Sequence, residues 1–144
     1  MKTDTIAAIA TAMTNSGIGI IRISGEDAFT VIDRIYQSKN GKKKLSEEKS
    51  HTVHYGYIVD DTKENKIIDE VMVLIMRAPN TYTREDTVEI DCHGGVLMAF
   101  LWKKKRLRKY LKRMDIVLLL LVSGIWEVGM NNILIIVDLI CFTV

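Results

Sequence analysis

Arg22 stands inside an apolar run, Ile18-Gly19-Ile20-Ile21-Arg22-Ile23. A guanidinium in such a strand must meet an anion or face water, because an unpaired buried charge is very costly. Two uses fit it. One is a salt bridge to an acid of the same chain. The other is a planar fork clamping a ligand carboxylate or phosphate. Glu89 and Asp91 form a second candidate group. They alternate with Val88, Ile90 and Cys92 in Thr87-Val88-Glu89-Ile90-Asp91-Cys92, so in a strand the two acids share one face. That face is either solvated, or it offers a carboxylate to a flat amidine-like edge. Pterins and guanines both present such an edge, and a carboxylate matches it bidentately.

Cys92-His93-Gly94-Gly95 brings a thiol beside an imidazole. Adjacent strand residues point to opposite faces, which argues against a catalytic Cys92–His93 pair. The two glycines let the backbone turn or approach another group closely. His51 and His54 have no clustered acid or thiol nearby in sequence and read as structural. Cys92 and Cys141 are far apart and lack CxxC spacing, so neither a zinc site nor a disulfide framework is expected. No catalytic residue and no metal ligand is assigned.

Particular elements must position these side chains. Thr5 to Ala10 reads as a short strand, and Ile18 to Ile23 as a buried one. Ser24-Gly25-Glu26-Asp27 predicts a helix start, with Ser24 as cap and the acids in the first turn. Ala28, Val31, Ile32 and Ile35 follow at helical spacing, and the helix should stop before Asn40-Gly41. His51 to Val59, Val71 to Met76 and Thr87 to Cys92 read as further strands. Ala78-Pro79-Asn80 breaks the chain between the last two. His93-Gly94-Gly95 turns the chain, with a helix expected next. The fold class expected is α+β, a mostly antiparallel sheet with flanking helices.

The 144 residues suit one domain; they are 48% hydrophobic and 26% charged, a globular balance. A net charge of +2 is too small to argue for nucleic-acid binding. The first residues lack a basic stretch followed by an apolar core, so no secretory leader is expected. Gly17-Ile18-Gly19 lacks the third glycine of a dinucleotide fingerprint. No GxxxxGK[ST] run occurs in these residues, so no P-loop nucleotide site is expected of them. Composition changes along the chain: a basic run from Lys103 to Arg113 is followed by strongly apolar sequence.

Three segments taken together carry a resemblance. They are Asp4 to Thr11, Gly17 to Gly25 and Thr81 to Gly95, with His51-Thr52-Val53-His54-Tyr55-Gly56 between the second and third. This ordered set closely resembles the start of the tRNA-modification GTPases called MnmE or TrmE, over about residues 3–97. The resemblance implies an α+β domain similar to folate-binding aminomethyltransferase domains. It implies a homodimer that binds 5-formyltetrahydrofolate or a related one-carbon tetrahydrofolate. Arg22 and Glu89 match the family's folate-binding residues. The family as a whole works with a flavin-dependent partner of the MnmG/GidA type. Together they act in the cytoplasm on the wobble uridine of tRNA, forming 5-carboxymethylaminomethyluridine. GTP, magnesium and potassium belong to the full-length family and are not expected of this chain.

The expected organisation is a folate-binding and dimerisation domain over 1–97 and an atypical basic, then apolar, tail over 98–144. The family's next segment, Pro-Gly-Glu-Phe-Thr and onward, has no counterpart after Gly95, nor does its third, basic folate contact. A frameshift explains the tail most simply; a membrane element is the alternative. Its apolar runs are shorter than the roughly 20 residues a spanning helix needs, and Asp115, Glu127 and Asp138 would be expensive in lipid.

Overall fold

The computed structural model describes residues 4–11, 16–41, 43–60 and 66–94, and the backbone of 117–119, 121–122 and 125–126. In chain order the elements are β1 (Ile6–Ile9), β2 (Ile18–Ser24), α1 (Ala28–Ile35), β3 (Tyr36–Ser38), a 3-10 turn (Leu45–Glu47), β4 (Thr52–Asp60), β5 (Lys66–Met76), β6 (Thr87–His93), β7 (Val117–Leu119), β8 (Leu121–Val122) and β9 (Ile125–Trp126). Seven strands form one sheet in the order β3-β4-β5-β6-β2-β1-β7, while β8 and β9 pair separately. Neighbours in the sheet are antiparallel, apart from β1 and β7, which run parallel. The architecture is α+β, mostly antiparallel, with one α-helix among the described residues rather than several.

Period-two alternation explains where the core lies. Ile21 and Ile23 of β2, Val71, Val73 and Ile75 of β5, and Val88, Ile90 and Cys92 of β6 are buried in one cluster. Helix α1 covers that face with Ala28, Phe29, Val31, Ile32 and Ile35. An eight-residue helix is marginal by itself, so its stability comes from this packing.

The helix begins and ends differently from the sequence expectation. Strand β2 continues through Ser24, so Ser24 is not a cap. Asp27 takes the cap position without a side-chain cap hydrogen bond, and no acid lies in the first turn. Instead the Thr5 hydroxyl accepts the Asp27 N–H at 3.0 Å. Gly25 makes the corner with φ +134°, and a Cβ there would stand 2.6 Å from Thr5 Cα. At the other end the helix stops at Ile35, because Tyr36 is drawn into the sheet. Its ring lies against Gly56, where any Cβ would collide with it, and its hydroxyl donates to the Tyr55 carbonyl at 2.7 Å. β5 starts five residues before the expected Val71, since its charged outer part, Lys66 to Glu70, pairs with Tyr57 to Asp60 of β4.

The helix expected after Gly95 falls outside the described residues, as does nearly all of the segment beyond it. Among the described residues no helix is long and apolar enough to cross a membrane.

Candidate ligand-binding site

β2 and β6 are neighbours, and their register sets Arg22 opposite Glu89, Ile20 opposite Asp91 and Ser24 opposite Thr87. With Ile21, Ile23, Val88 and Ile90 committed to the core, the intervening side chains rise from the other face. No helix among the described residues packs there. Two residues 67 apart in sequence thus meet on adjacent strands: Arg22 Nε donates to Glu89 Oε1 at 2.7 Å and Nη2 donates to the same oxygen at 2.5 Å. The Glu89 side chain is 10% exposed and that of Arg22 36%, so the acid is held down while the guanidinium reaches solvent. Both contacts fall on Oε1, which leaves Oε2 outside the ion pair. A carboxylate buried in this way and paired through one oxygen can still accept a hydrogen bond on the other.

Asp91 extends the acidic row. Burial, and then the nearby Glu89 carboxylate, push its pKa above the ordinary aspartate range. Beyond it, the His93 ring contacts Asp69 through Nδ1 at 2.7 Å, and the His93 N–H donates to the same carboxylate at 3.1 Å. Cys92 faces the core. Its thiol donates to the Gly19 carbonyl at 3.1 Å, and burial, followed by the Asp69 charge, pushes it up to about 11. A thiol so held is a poor nucleophile at neutral pH. The geometry therefore rules against a Cys92–His93 pair, as the strand alternation argued.

Gly94 is explained by backbone rather than by a ligand. A Cβ there would collide with the Ser16 carbonyl, and the Gly94 N–H donates to the Gly17 carbonyl at 3.1 Å. His54 is buried, contacts the Thr52 hydroxyl at 2.7 Å and has its pKa lowered, first by burial and then by Lys43. His51 contacts the Ser50 hydroxyl at 2.8 Å. Both are structural. Among the described residues no cluster of metal-ligating side chains occurs.

The loop between β5 and β6 supplies a part of the site that sequence reasoning passed over. It leans on β2: the hydroxyls of Ser24 and Thr83 lie 2.6 Å apart, and Ser24 also donates to Glu85 at 3.2 Å. This engagement is why the Ser24 side chain is unavailable to cap a helix. The loop places the Tyr82 ring over the Arg22 guanidinium, 4.8 Å from Cζ to the ring centroid. The signal in the sequence was a tyrosine flanked by two threonines in a turn, which alone names no partner.

The segment holding all of these groups also matches a known family. The family described as GTP-binding protein TrmE N-terminus matches residues 5–113. This chain belongs to that family. The match runs through the basic stretch and so past residue 97, where the sequence motifs stopped. Among its relatives, the tRNA modification GTPase MnmE of Lachnoclostridium phytofermentans is 63% identical over 112 residues, 78% of this chain and 23% of the relative. That of Alkaliphilus oremlandii is 58% identical over 94 residues, 65% of this chain and 20% of the relative. That of Bacillus cereus is 56% identical over 98 residues, 67% of this chain and 20% of the relative. The chain spans only about a fifth of the length of these curated relatives. Arg22, Tyr82, Glu89 and Asp91 all lie inside the family match.

Proposed function

We propose that this chain is the folate-binding and dimer-forming portion of a tRNA modification GTPase. Its ligand is 5-formyltetrahydrofolate or a related one-carbon tetrahydrofolate. Its working context is a homodimer that acts in the cytoplasm with a flavin-dependent partner on the wobble uridine of tRNA. GTP turnover is not assigned to these residues, which contain no phosphate-loop motif.

The observation carrying this reading is the Arg22–Glu89 pair. Two residues that look out of place in apolar strands are brought together on the open face, inside the family match. Glu89 Oε2 suits the N–H edge of a pterin, and the exposed edge of Arg22 suits a carbonyl or carboxylate of the same ligand. Asp91, two residues along β6 on the same face, is a second acid beside the pair.

Isothermal titration of the purified chain with 5-formyltetrahydrofolate tests the reading. Saturable binding is expected. Glu89→Ala should weaken it by about 1.5–3 kcal/mol, the worth of a hydrogen bond to a charged group. Unchanged affinity in a folded Glu89→Ala protein would refute the role of that carboxylate.

A further inference from the structure

We propose that Tyr82 is the third member of this site, an aromatic wall against which the flat ring of the ligand stacks beside Arg22. The inference rests on the folate reading above and deepens it.

Tyr82 is 69% exposed, more than any other exposed large apolar side chain among the described residues, so its place on the loop is not explained by core packing. Yet the loop that carries it is firmly tied. The Ala78 N–H donates to Asp86 Oδ1 at 3.0 Å, and the Thr81 hydroxyl donates to the Glu85 carbonyl at 2.7 Å. The Gly25 N–H donates to the Asp86 carbonyl at 3.0 Å, and the Ser24 and Thr83 hydroxyls meet at 2.6 Å. An exposed aromatic ring is thereby held at one spot, over the guanidinium of Arg22.

Hydrogen-bond geometry then says what the ring can cover. Donors to a carboxylate lie near the carboxylate plane. Arg22 already donates to Oε1 of Glu89 through both Nε and Nη2. A heteroaromatic edge donating to Oε2 in the carboxylate plane then lies beside the guanidinium. The ring that overlies Arg22 is then positioned to overlie the ligand ring as well. Offset stacking of this kind, together with the cation–π contact to Arg22, favours a flat ring over a non-planar one.

The test is titration of the full chain and of Tyr82→Ala and Tyr82→Phe with 5-formyltetrahydrofolate, each with its thermal midpoint. Tyr82→Ala should lose roughly tenfold in affinity, the scale of one aromatic stack. Tyr82→Phe, which keeps the ring, should stay within about twofold of the parent. Tyr82→Phe should leave the thermal midpoint unchanged, and Tyr82→Ala should lower it by no more than the few degrees that the lost cation–π contact is worth. Parent-like binding by Tyr82→Ala would overturn the wall while leaving the folate reading standing. Equal losses in Tyr82→Phe and Tyr82→Ala would also overturn it, since the hydroxyl rather than the ring would then be at work. A parent chain that is folded and does not bind would instead sink the folate reading, and the wall with it.

Discussion

One face of the sheet carries Ile21, Ile23, Val73, Val88 and Ile90 beneath helix α1. The opposite face carries Arg22, Glu89 and Asp91 at its β2–β6 centre, and exposed Val53, Tyr55 and Met72 across β4 and β5. The same strands build both, because side chains alternate at every residue. The covered face is mainly apolar, with buried His54 set beside Val73, and serves stability. The open face is mixed, pairing buried charge with exposed apolar and aromatic surface. A sheet needing only one good face to fold leaves the other available for recognition.

The largest expected effect lies on the covered face. Ile23 is 1% exposed, and Ile23→Ala should cost about 2–5 kcal/mol of stability, measured by denaturant unfolding. A loss below 1 kcal/mol would mean that the helix-covered face is not the principal core. On the proposed folate reading, binding should show the reverse preference, with Glu89→Ala and Tyr82→Ala expected to weaken it far more than they alter the fold.

Asp91 sharpens the contrast through pH. Its folded-state pKa is raised, so the folded protein holds the proton more tightly than the unfolded chain does. Its stability contribution is therefore complete below the unfolded value of 3.8 and is lost as pH rises through the folded value. Asp91→Asn removes a half-buried charge and its repulsion with Glu89. The variant should melt higher than the parent at pH 7, with the advantage shrinking as pH falls through the folded value and gone below the unfolded value of 3.8. A lower midpoint at pH 7 would show that the Asp91 charge is compensated in the folded protein.

The smallest effect is expected at Met72, 48% exposed on the open face. Met72→Ser should change stability by no more than about 0.5 kcal/mol. A penalty approaching that of Ile23→Ala would show that this part of the open face is covered in solution.

Much of this was legible in the residues. The alternation in Thr87 to Cys92 separates Glu89 and Asp91 from Val88, Ile90 and Cys92 correctly, because period two is a local property. Arg22 is conspicuous for the same reason: a charge inside an isoleucine run needs a partner wherever it sits. The helix start was misplaced because Ser24-Gly25-Glu26-Asp27 has the right local chemistry for a cap, but a hydroxyl bonded to a distant loop cannot also cap. β5 extends past the expected Val71 because Asp69 and Glu70 interrupt its apolar pattern, while pairing of Lys66–Glu70 with Tyr57–Asp60 of β4 holds the extension.

By itself, the order of residues determined the strand periods, the apolar stripe of α1 and the two charged oddities on β2 and β6. Those depend on spacings of two to four residues, which the covalent chain imposes directly. Tertiary structure alone decided that the two oddities face each other. A partner 67 residues away is chosen by strand register, and register follows from the burial of a whole sheet face at once. The same register ties the β5–β6 loop to Ser24 and so brings Tyr82 over Arg22. That contact depends on loop anchoring across strands, which no local spacing encodes.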